Sequence, residues 1–505
     1  MRQRRRYVIV LFLLFSLFAA ACGSDDDDGG TDAPPGEDEP AGEEEEAVST
    51  EVDRSGRFSK LETFCEPAAE GEEGDAPEDV GPGITAEEIV VSHARVKLED
   101  LAEIGFSVEV GDQTEQFQTF IDLVNERCGG IHGRTIRMDG IEAAAIAPAD
   151  ADAAAREYCI RIAEDQEAVF AFSASGFGST VVSQCLAVQH DVTLVSTASA
   201  TAEDFAAADG RIISAQLSPA TSMREMVRYV DSQGLLEGKT IGVVHSDAAG
   251  DGQNVEAGLV RTLEELGHAV KRRDVIGCGG GSICREGVAP SVQGMIADGI
   301  DVLFPTLNVI SMPTYMAELV TQGVKKGDVT FYNSNYQNQA GDLVSGKIVE
   351  FGGEPAGALY DETVVTDATP TGAFRREGFE VPEFDAMCNR EYGENSASGT
   401  AYERNDADES KFGGTVTACS IIRMIARALE AAGPNPTRDD ITEAMRGLGG
   451  VDLQAMVPAH IAPGKYEAPS AIYPLVFRSP CQFPTSTKSG SCITPTSNEP
   501  ILIKE

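Results

Sequence analysis

The chain has 505 residues, of which 42% are hydrophobic, and its 82 acidic residues against 39 basic ones give a formal net charge of -43. A chain of this length is expected to fold into more than one lobe or domain. The acidic balance argues against nucleic acid as a partner, because phosphate binding requires clustered Lys and Arg. It also disfavours adsorption of the folded part to an anionic membrane surface.

The first 21 residues are predicted to be a secretory signal peptide. Several arginines precede an apolar stretch from Tyr7 to Phe18, which is too short for a stable membrane-spanning helix. The sequence Ala-Ala-Ala-Cys-Gly that follows resembles the lipobox of bacterial lipoproteins. The resemblance implies that Cys22 receives a diacylglyceryl group and becomes the new N-terminus. In the alternative, cleavage is ordinary and Cys22 has no role.

Residues 22–83 are predicted to be a lipid-anchored, acidic, disordered tether. Asp25–Asp28 and Glu43–Glu46 are runs of like charge, and the segment has too few apolar residues to form a core. Phe58, Leu61 and Phe64 form an apolar island beside Cys65. We expect this island to dock on the folded part of the chain.

From Ile84 onward, apolar strands alternate with amphipathic helices, which predicts α/β lobes with parallel sheets. The predicted strands are, in chain order, EEIVVSHARV, RTIRMDGI, AVFAFSAS, VTLVSTAS, TIGVVHSD, HAVKRRDVI, DVLFPTLN and VTFYNSN. Two successive units of similar size indicate a two-lobed protein.

The segment FIDLVNERCGGIHGRTI, Phe120–Ile136, resembles a signature of type I periplasmic binding proteins. Those proteins are Leu/Ile/Val-binding-like substrate-binding subunits of ABC importers. HDVTLVSTASAT, TIGVVHSDAAGDG and ADGIDVLFPTLN resemble later motifs of that family, in the same order. The resemblance implies a clamshell of two doubly wound parallel-sheet lobes joined by a three-crossover hinge. Lobe 1 is then 84–216 plus 364–450, and lobe 2 is 217–363 plus 451–505.

The resemblance also implies a ligand cleft at the C-terminal edges of the strands, where backbone N–H groups and small hydroxyl residues suit a polar solute. In the alternative, the loops of lobe 1 are plain turns with helix caps, and His93 is a core histidine. The candidate ligand-binding residues are Ser175, Gly176, Phe177, Ser179, Ala198, Ser199, Thr201 and His93 in lobe 1, and Asp247, Asn308, Asn335 and Tyr336 in lobe 2.

Two positions of lobe 2 depart from the family pattern. Family members often carry an aromatic residue at the position of Ala248 or Ala249 and an acidic residue near Asn335. The alanines and the pair Asn335–Tyr336 argue against a branched-chain amino acid as the ligand.

The chain has 11 cysteines and no CxxC pair, which disfavours zinc ribbons and thioredoxin-type motifs and favours an oxidising compartment. If Cys22 carries lipid, ten remain for disulfides. Sequence does not determine connectivity. The predicted pairs are Cys65–Cys128, Cys159–Cys185, Cys278–Cys284, Cys388–Cys419 and Cys481–Cys492.

No HExxH, GxSxG or other catalytic constellation is present in the sequence, so we predict neither enzyme activity nor a metal or cofactor. The predicted function is capture of a small polar solute, an amino acid or related amide or carboxylate, and its delivery to ABC permease subunits. The protein is expected to be monomeric and anchored through Cys22 to the outer face of the cytoplasmic membrane, at the cell surface or in the periplasm. The alternative is a surface sensory receptor with the same fold.

Overall fold

A computed structural model describes residues 49–68, 76–146, 150–175, 177, 179–197, 200–279, 283–336 and 339–504. The predicted signal peptide, Cys22 and much of the predicted tether lie outside these residues. All described residues belong to one compact unit, Val48–Glu505.

The first sheet has five parallel strands in the spatial order β2-β1-β3-β4-β5. Its three shortest strands are buried along their whole length, as expected for a parallel sheet covered on both faces. The strands are β1 (Glu88–Lys97), β2 (Thr135–Ala144), β3 (Phe170–Ser173), β4 (Thr193–Ser196) and β5 (Ile212–Ser214).

Helices connect these strands, and a side chain accepts a hydrogen bond at the N-terminus of each of the first four. The first three continue into a π-helical turn. The helices are α1 (Gln113–Asp122), α2 (Ala151–Ile160), α3 (Thr180–Gln184) and α4 (Ala202–Ala208).

The second sheet repeats the same parallel order and is then extended by antiparallel strands. Its order is β14-β13-β10-β9-β8-β6-β7, and β15 pairs with β13. The remaining strands are β6 (Ile241–Ser246), β7 (Val270–Ile276), β8 (Val302–Thr306), β9 (Thr330–Ser334), β10 (Val364–Asp367), β11 (Gly449–Gly450), β12 (His460–Ile461), β13 (Ala471–Arg478), β14 (Cys492–Pro495) and β15 (Ile501–Leu502).

The remaining helices complete both halves of the fold. They are α5 (Pro219–Ser232), α6 (Asp251–Asn254), α7 (Arg261–Glu265), α8 (Val288–Ala297), α9 (Ser311–Thr321), α10 (Asp342–Tyr360), α11 (Glu383–Asn395), α12 (Glu409–Ala431) and α13 (Arg438–Arg446). Two mostly parallel sheets covered by helices confirm the predicted α/β fold class.

The sheet assignment differs from the predicted lobe boundaries at two places. Val364–Asp367 was predicted to begin the return to lobe 1, but it is the fifth parallel strand of the second sheet. It pairs with β9 on one side and with β13 on the other, so its apolar residues are buried there. The second place is Val451–Ile461, predicted for lobe 2, where apolar side chains pack in the same cluster as α12. We therefore place the second crossing after Asp367 and the third before Ala471.

Helix α12 is the core helix of lobe 1. Among the described residues it is the one helix long and apolar enough to cross a membrane, but most of it is buried inside the protein. Its apolar side chains pack with those of α1 and α11. This burial identifies α12 as a core helix of the folded body.

The apolar island of the tether docks on lobe 1, as predicted. Phe58 and Phe64 are fully buried, and Phe64 stacks on Phe120 of α1 with 5.2 Å between ring centroids. The buried Arg423 of α12 donates hydrogen bonds to the carbonyl oxygens of Phe58 and Lys60.

The structure contains five disulfides, which join the cysteines in the predicted pairs. They are Cys65–Cys128, Cys159–Cys185, Cys278–Cys284, Cys388–Cys419 and Cys481–Cys492.

Candidate functional site

A cleft with a volume of about 490 Å³ lies between the loops that follow the parallel strands of the two sheets. This is the edge at which open α/β sheets bind ligands, and the volume is within the range of small-molecule sites. Loops after β1, β2, β3 and β4 contribute from lobe 1, and loops after β6, β8, β9 and β10 contribute from lobe 2. Both lobes therefore provide walls of one cavity.

Three of the predicted residues of lobe 1 line this cleft: Ser175, Phe177 and Ser179. The Ser175 hydroxyl donates a hydrogen bond of 2.7 Å to Gln113 Oε1 at the start of α1. Ser179 is the N-cap of α3 and accepts from the Val182 N–H. The loop after β3 is thus both a helix cap and part of the cavity wall.

Three predicted residues of lobe 2 line the opposite wall: Asn308, Asn335 and Tyr336. Asn308 Oδ1 accepts from the Ile310 and Ser311 N–H groups, which fixes the loop before α9. Asn335 Nδ2 donates a 2.9 Å hydrogen bond to Asp367 Oδ1. The Tyr336 hydroxyl donates to Asp251, which also accepts from Ser246. These bonds hold the polar wall in one geometry.

Two buried carboxylates of this wall were not among the candidate residues. Asp367 is the last residue of β10, and the carboxyl end of this strand opens into the cleft. Asp367 was not a candidate because this segment was predicted to belong to lobe 1. Burial raises the pKa of Asp367 to about 6, against the opposing effect of its hydrogen bonds from Asn335 and backbone N–H groups. Asp251 is the first residue of α6. Its position just after a predicted strand and loop could have identified it as a candidate residue of the cleft.

Three other predicted residues lie outside the cavity wall: His93, Thr201 and Asp247. The His93 ring is buried between Phe117 and Phe172, and burial lowers its pKa to about 4, so it matches the core-histidine alternative. Thr201 forms a capping box with Asp204 at the start of α4. Asp247 Oδ1 accepts the Cys278 N–H, which ties down the disulfide-closed loop.

The candidates Gly176, Ala198 and Ser199 lie outside the described residues. The predictions about their contacts therefore stay predictions.

The charge of the cleft has one sign. Among the described residues of its wall, three are acidic, namely Asp152, Asp251 and Asp367, and none is Lys, Arg or His. The other polar groups are hydroxyls and amides, including Thr197, Gln216 and Asn254. The described wall therefore offers hydrogen-bonding groups and carboxylates, but no cationic side chain.

A smaller cavity of about 30 Å³ lies at the hinge, where the three crossings run side by side. It is lined by Ala215 and Gln216 of the first crossing, Ala368 and Thr369 of the second, and Pro469 of the third. Thr197 and Gln216 also belong to the wall of the larger cleft. Gln216 of the first crossing thus lies in the walls of both cavities.

One group of three potential metal ligands exists among the described residues: Cys159, Cys185 and His190. Its two cysteines are joined in a disulfide, and the thiolate is the form that binds metal. The cluster therefore does not form a metal site.

Comparisons with known proteins give a family match over part of the chain and a fold. A family model described as "Periplasmic binding protein" matches residues 111–347. A comparison with curated protein sequences found no match.

Three solved structures with the same fold are distant in sequence. A solute binding protein of an ABC transporter from R. palustris, in complex with 4-hydroxybenzoate, is 14% identical, with a TM-score of 0.54 over 82% of this chain and 98% of that one. A fatty acid ABC transporter substrate-binding protein from Thermomonospora curvata is 17% identical, with a TM-score of 0.52 over 82% and 93%. A branched chain amino acid ABC transporter from Thermus thermophilus with bound valine is 11% identical, with a TM-score of 0.53 over 82% and 96%.

Proposed function

We propose that this chain is a type I periplasmic binding protein, lipid-anchored and extracytoplasmic, that captures a small polar solute and delivers it to an ABC importer. The family is one of binding proteins and not of enzymes, in agreement with the prediction from the sequence.

The observation that carries the proposal is the cleft shared by the two lobes. Its polar residues come from loops on both sheets, so a solute in the cleft contacts both lobes at once. The lobes are joined through the three crossings that form the hinge. A solute that contacts both lobes stabilises their closed arrangement, which is how a hinge protein couples capture to a change of shape.

The neighbours named above were solved with valine and with 4-hydroxybenzoate, or are named for fatty acids. Each of these solutes carries a carboxylate beside an apolar part. We include all three classes, together with amides, in the test of the proposed function.

Solute capture is tested by thermal unfolding in the presence of valine, 4-hydroxybenzoate, a fatty acid and simple amides. A true ligand at about 100 times its Kd adds about 2.7 kcal/mol to the free energy of unfolding. Ala144→Trp, at an exposed cleft residue, should abolish the shift by filling the cavity. Ala207→Trp, on the exposed face of α4, is the matched control and should leave it unchanged. If no small solute changes the melting temperature, the proposal is wrong.

The anchor is tested separately through Cys22. Cys22→Ser removes the thiol that would be acylated, so we expect the protein to move from the membrane fraction to the medium or periplasm. Ser24→Ala is the control and should remain with the membrane. Unchanged membrane association of Cys22→Ser would contradict the lipid anchor.

A further inference from the structure

A short segment of lobe 1 reaches across the mouth of the cleft to lobe 2. We call residues 98–108, which follow β1, the bridging segment. Leu98–Ile104 form a 3₁₀ helix, which ends at Gly105 with a φ of 86°. The Phe106 N–H donates a 2.9 Å hydrogen bond to the Leu101 carbonyl oxygen, so the segment holds its own turn. Its apolar side chains are then free to pack outside lobe 1.

The bridging segment packs against Ala145 and Ile146 of lobe 1 and also against residues of lobe 2. Leu101 and Phe106 form a buried cluster with Ile310, which lies in the loop after β8. Ile283 of the disulfide-closed loop packs against the same cluster. The Phe106 ring also meets Phe351 of α10 edge to face, with 5.9 Å between centroids. This is an apolar contact between lobes, at a distance from the three crossings.

The same α10 helix adds a charge contact. Lys347 Nζ lies 5.5 Å from the centroid of the Phe106 ring, within the range of a cation–π interaction. Phe106 thus touches two residues one helical turn apart on α10.

The contact makes one part of the cavity wall apolar. Leu98, Leu101, Val309 and Ile310 belong both to this apolar cluster and to the wall of the cleft. The wall carboxylates Asp251 and Asp367 and the amide of Asn335 lie on other loops, whereas the amide of Asn308 adjoins Val309 and marks the boundary of the apolar part. The cavity therefore has an apolar section and a hydrogen-bonding section.

We propose that the bridging segment determines the specificity of the cleft, which takes an amphipathic solute with a polar head and an apolar chain or ring. The inference rests on the proposed function and names the solute class of the same site. The apolar part lies against Leu98, Leu101 and Ile310, and the polar head bonds to the hydroxyls and amides of the remaining wall. Apolar area removed from water then favours the arrangement in which the segment contacts lobe 2.

The first test measures the contact without any solute. The chain contains no Trp, so Phe106→Trp introduces a single fluorophore in the contact. We expect acrylamide to quench it several-fold less than the exposed Trp of Ala207→Trp. Adding Ile310→Ser should at least double the quenching, whereas Val275→Ser, at an exposed position on β7, should not. Quenching equal to that of the exposed reference overturns the inference. Phe351→Trp places the reporter on the other side of the same contact and is read in the same way.

The second test measures specificity with n-alkyl carboxylates, amides and amines of increasing chain length. Within the series that binds, we expect the longest members to bind at least 10-fold tighter than the shortest, and Leu101→Ser to reduce this preference by at least 10-fold. A solute that binds without chain-length preference overturns the inference and leaves the proposed function intact. If no member of any series binds, the inference is wrong. Thermal unfolding with the broader solute panel then tests whether the proposed function is wrong as well.

Discussion

The two parallel sheets have the same strand order but are completed in different ways. The first sheet stops at β5, and lobe 1 is completed by α11 to α13 and by the docked residues of the tether, which come from distant parts of the chain. The second sheet continues into antiparallel β13 and β14. Both lobes combine distant segments, but lobe 1 is completed by helices and docked tether residues, whereas lobe 2 is completed by strands that extend its sheet.

The disulfides of the two lobes also differ in the length of chain that they enclose. In lobe 1 they join residues separated by 63, 26 and 31 positions, and in lobe 2 they close loops with separations of 6 and 11. A crosslink restricts the unfolded chain more when it closes a longer loop. The disulfides of lobe 1 are therefore expected to stabilise the folded state more than those of lobe 2.

The largest effect is expected at Arg375, where the second crossing meets both lobes. This fully buried guanidinium contacts Asp342, Asp406 and Glu409, whereas the buried Arg423 of lobe 1 bonds to carbonyl oxygens. Arg375→Met removes the one cation that contacts all three carboxylates, although Lys488 still pairs with Asp342 and Arg404 with Glu409, and it should cost about 3–5 kcal/mol in urea unfolding. Arg423→Met should cost about 2 kcal/mol, since it leaves two carbonyl acceptors, and the carboxylate of Asp452, 3.9 Å from Arg423, keeps its closer partner Arg54. Equal losses would contradict the difference between the two buried arginines.

Removing Cys65–Cys128 is the next test. From the entropy of loop closure, we expect the free energy of unfolding to fall by about 4 kcal/mol without this disulfide and by about 3 kcal/mol without Cys481–Cys492. Paired alanine variants are compared by urea unfolding, and amide hydrogen exchange shows which lobe opens. We expect the first variant to release the docked segment at Phe58 and Phe64. A larger loss for the Cys481/Cys492 variant would contradict the greater stabilisation expected from the disulfides of lobe 1.

Asp385 of α11 gives lobe 1 a pH dependence. Burial raises the pKa of this carboxyl to about 7, although Arg404 and the Ala455 N–H oppose the shift. The folded state then holds its proton more tightly than the unfolded state, so stability falls as the pH rises from about 4 to about 7. Asp385→Asn should remove this pH-dependent loss of stability, which is about 4 kcal/mol. Asp367→Asn in lobe 2 should remove the corresponding loss of stability over the narrower range from about pH 4 to about pH 6.

The check is thermal unfolding of both variants between pH 4 and 8. A variant curve parallel to that of the wild type would show that the carboxyl does not titrate in this range.

The smallest effect is expected at the helix caps. Thr201 and Thr437 form the same capping box, at α4 and α13. Each Thr→Ala change should cost about 1 kcal/mol in thermal unfolding and leave solute binding unchanged. If Thr201→Ala alone weakened the solute-induced shift, Thr201 would contact the solute, as the resemblance to the family implied.

Much of the fold could be predicted because its signals are local. The alternation of β1 to β9 with helices is visible in short apolar runs, and the apolar island at Phe58 and Phe64 stands out from acidic surroundings. The antiparallel extension was missed because it joins β10 to β13, more than 100 positions away. The three crossings were expected from the family resemblance, but their positions follow from sheet pairing.

The candidate site was predicted in part. Ser175, Phe177, Asn335 and Tyr336 follow predicted strands, and parallel strands bring their carboxyl ends to one edge. His93 was misplaced because a residue near the end of a strand can face either the cleft or a helix, and it packs between Phe117 and Phe172.

The sequence by itself determined the order of strands and helices, the apolar segments that must be buried, and the excess of acidic groups. These follow from residue types and their spacing along the chain. Only the tertiary structure decided that Asp251 and Asp367 line the cleft and that Phe106 of lobe 1 packs against Phe351 of lobe 2. These depend on how two separate lobes face each other, which no local pattern specifies.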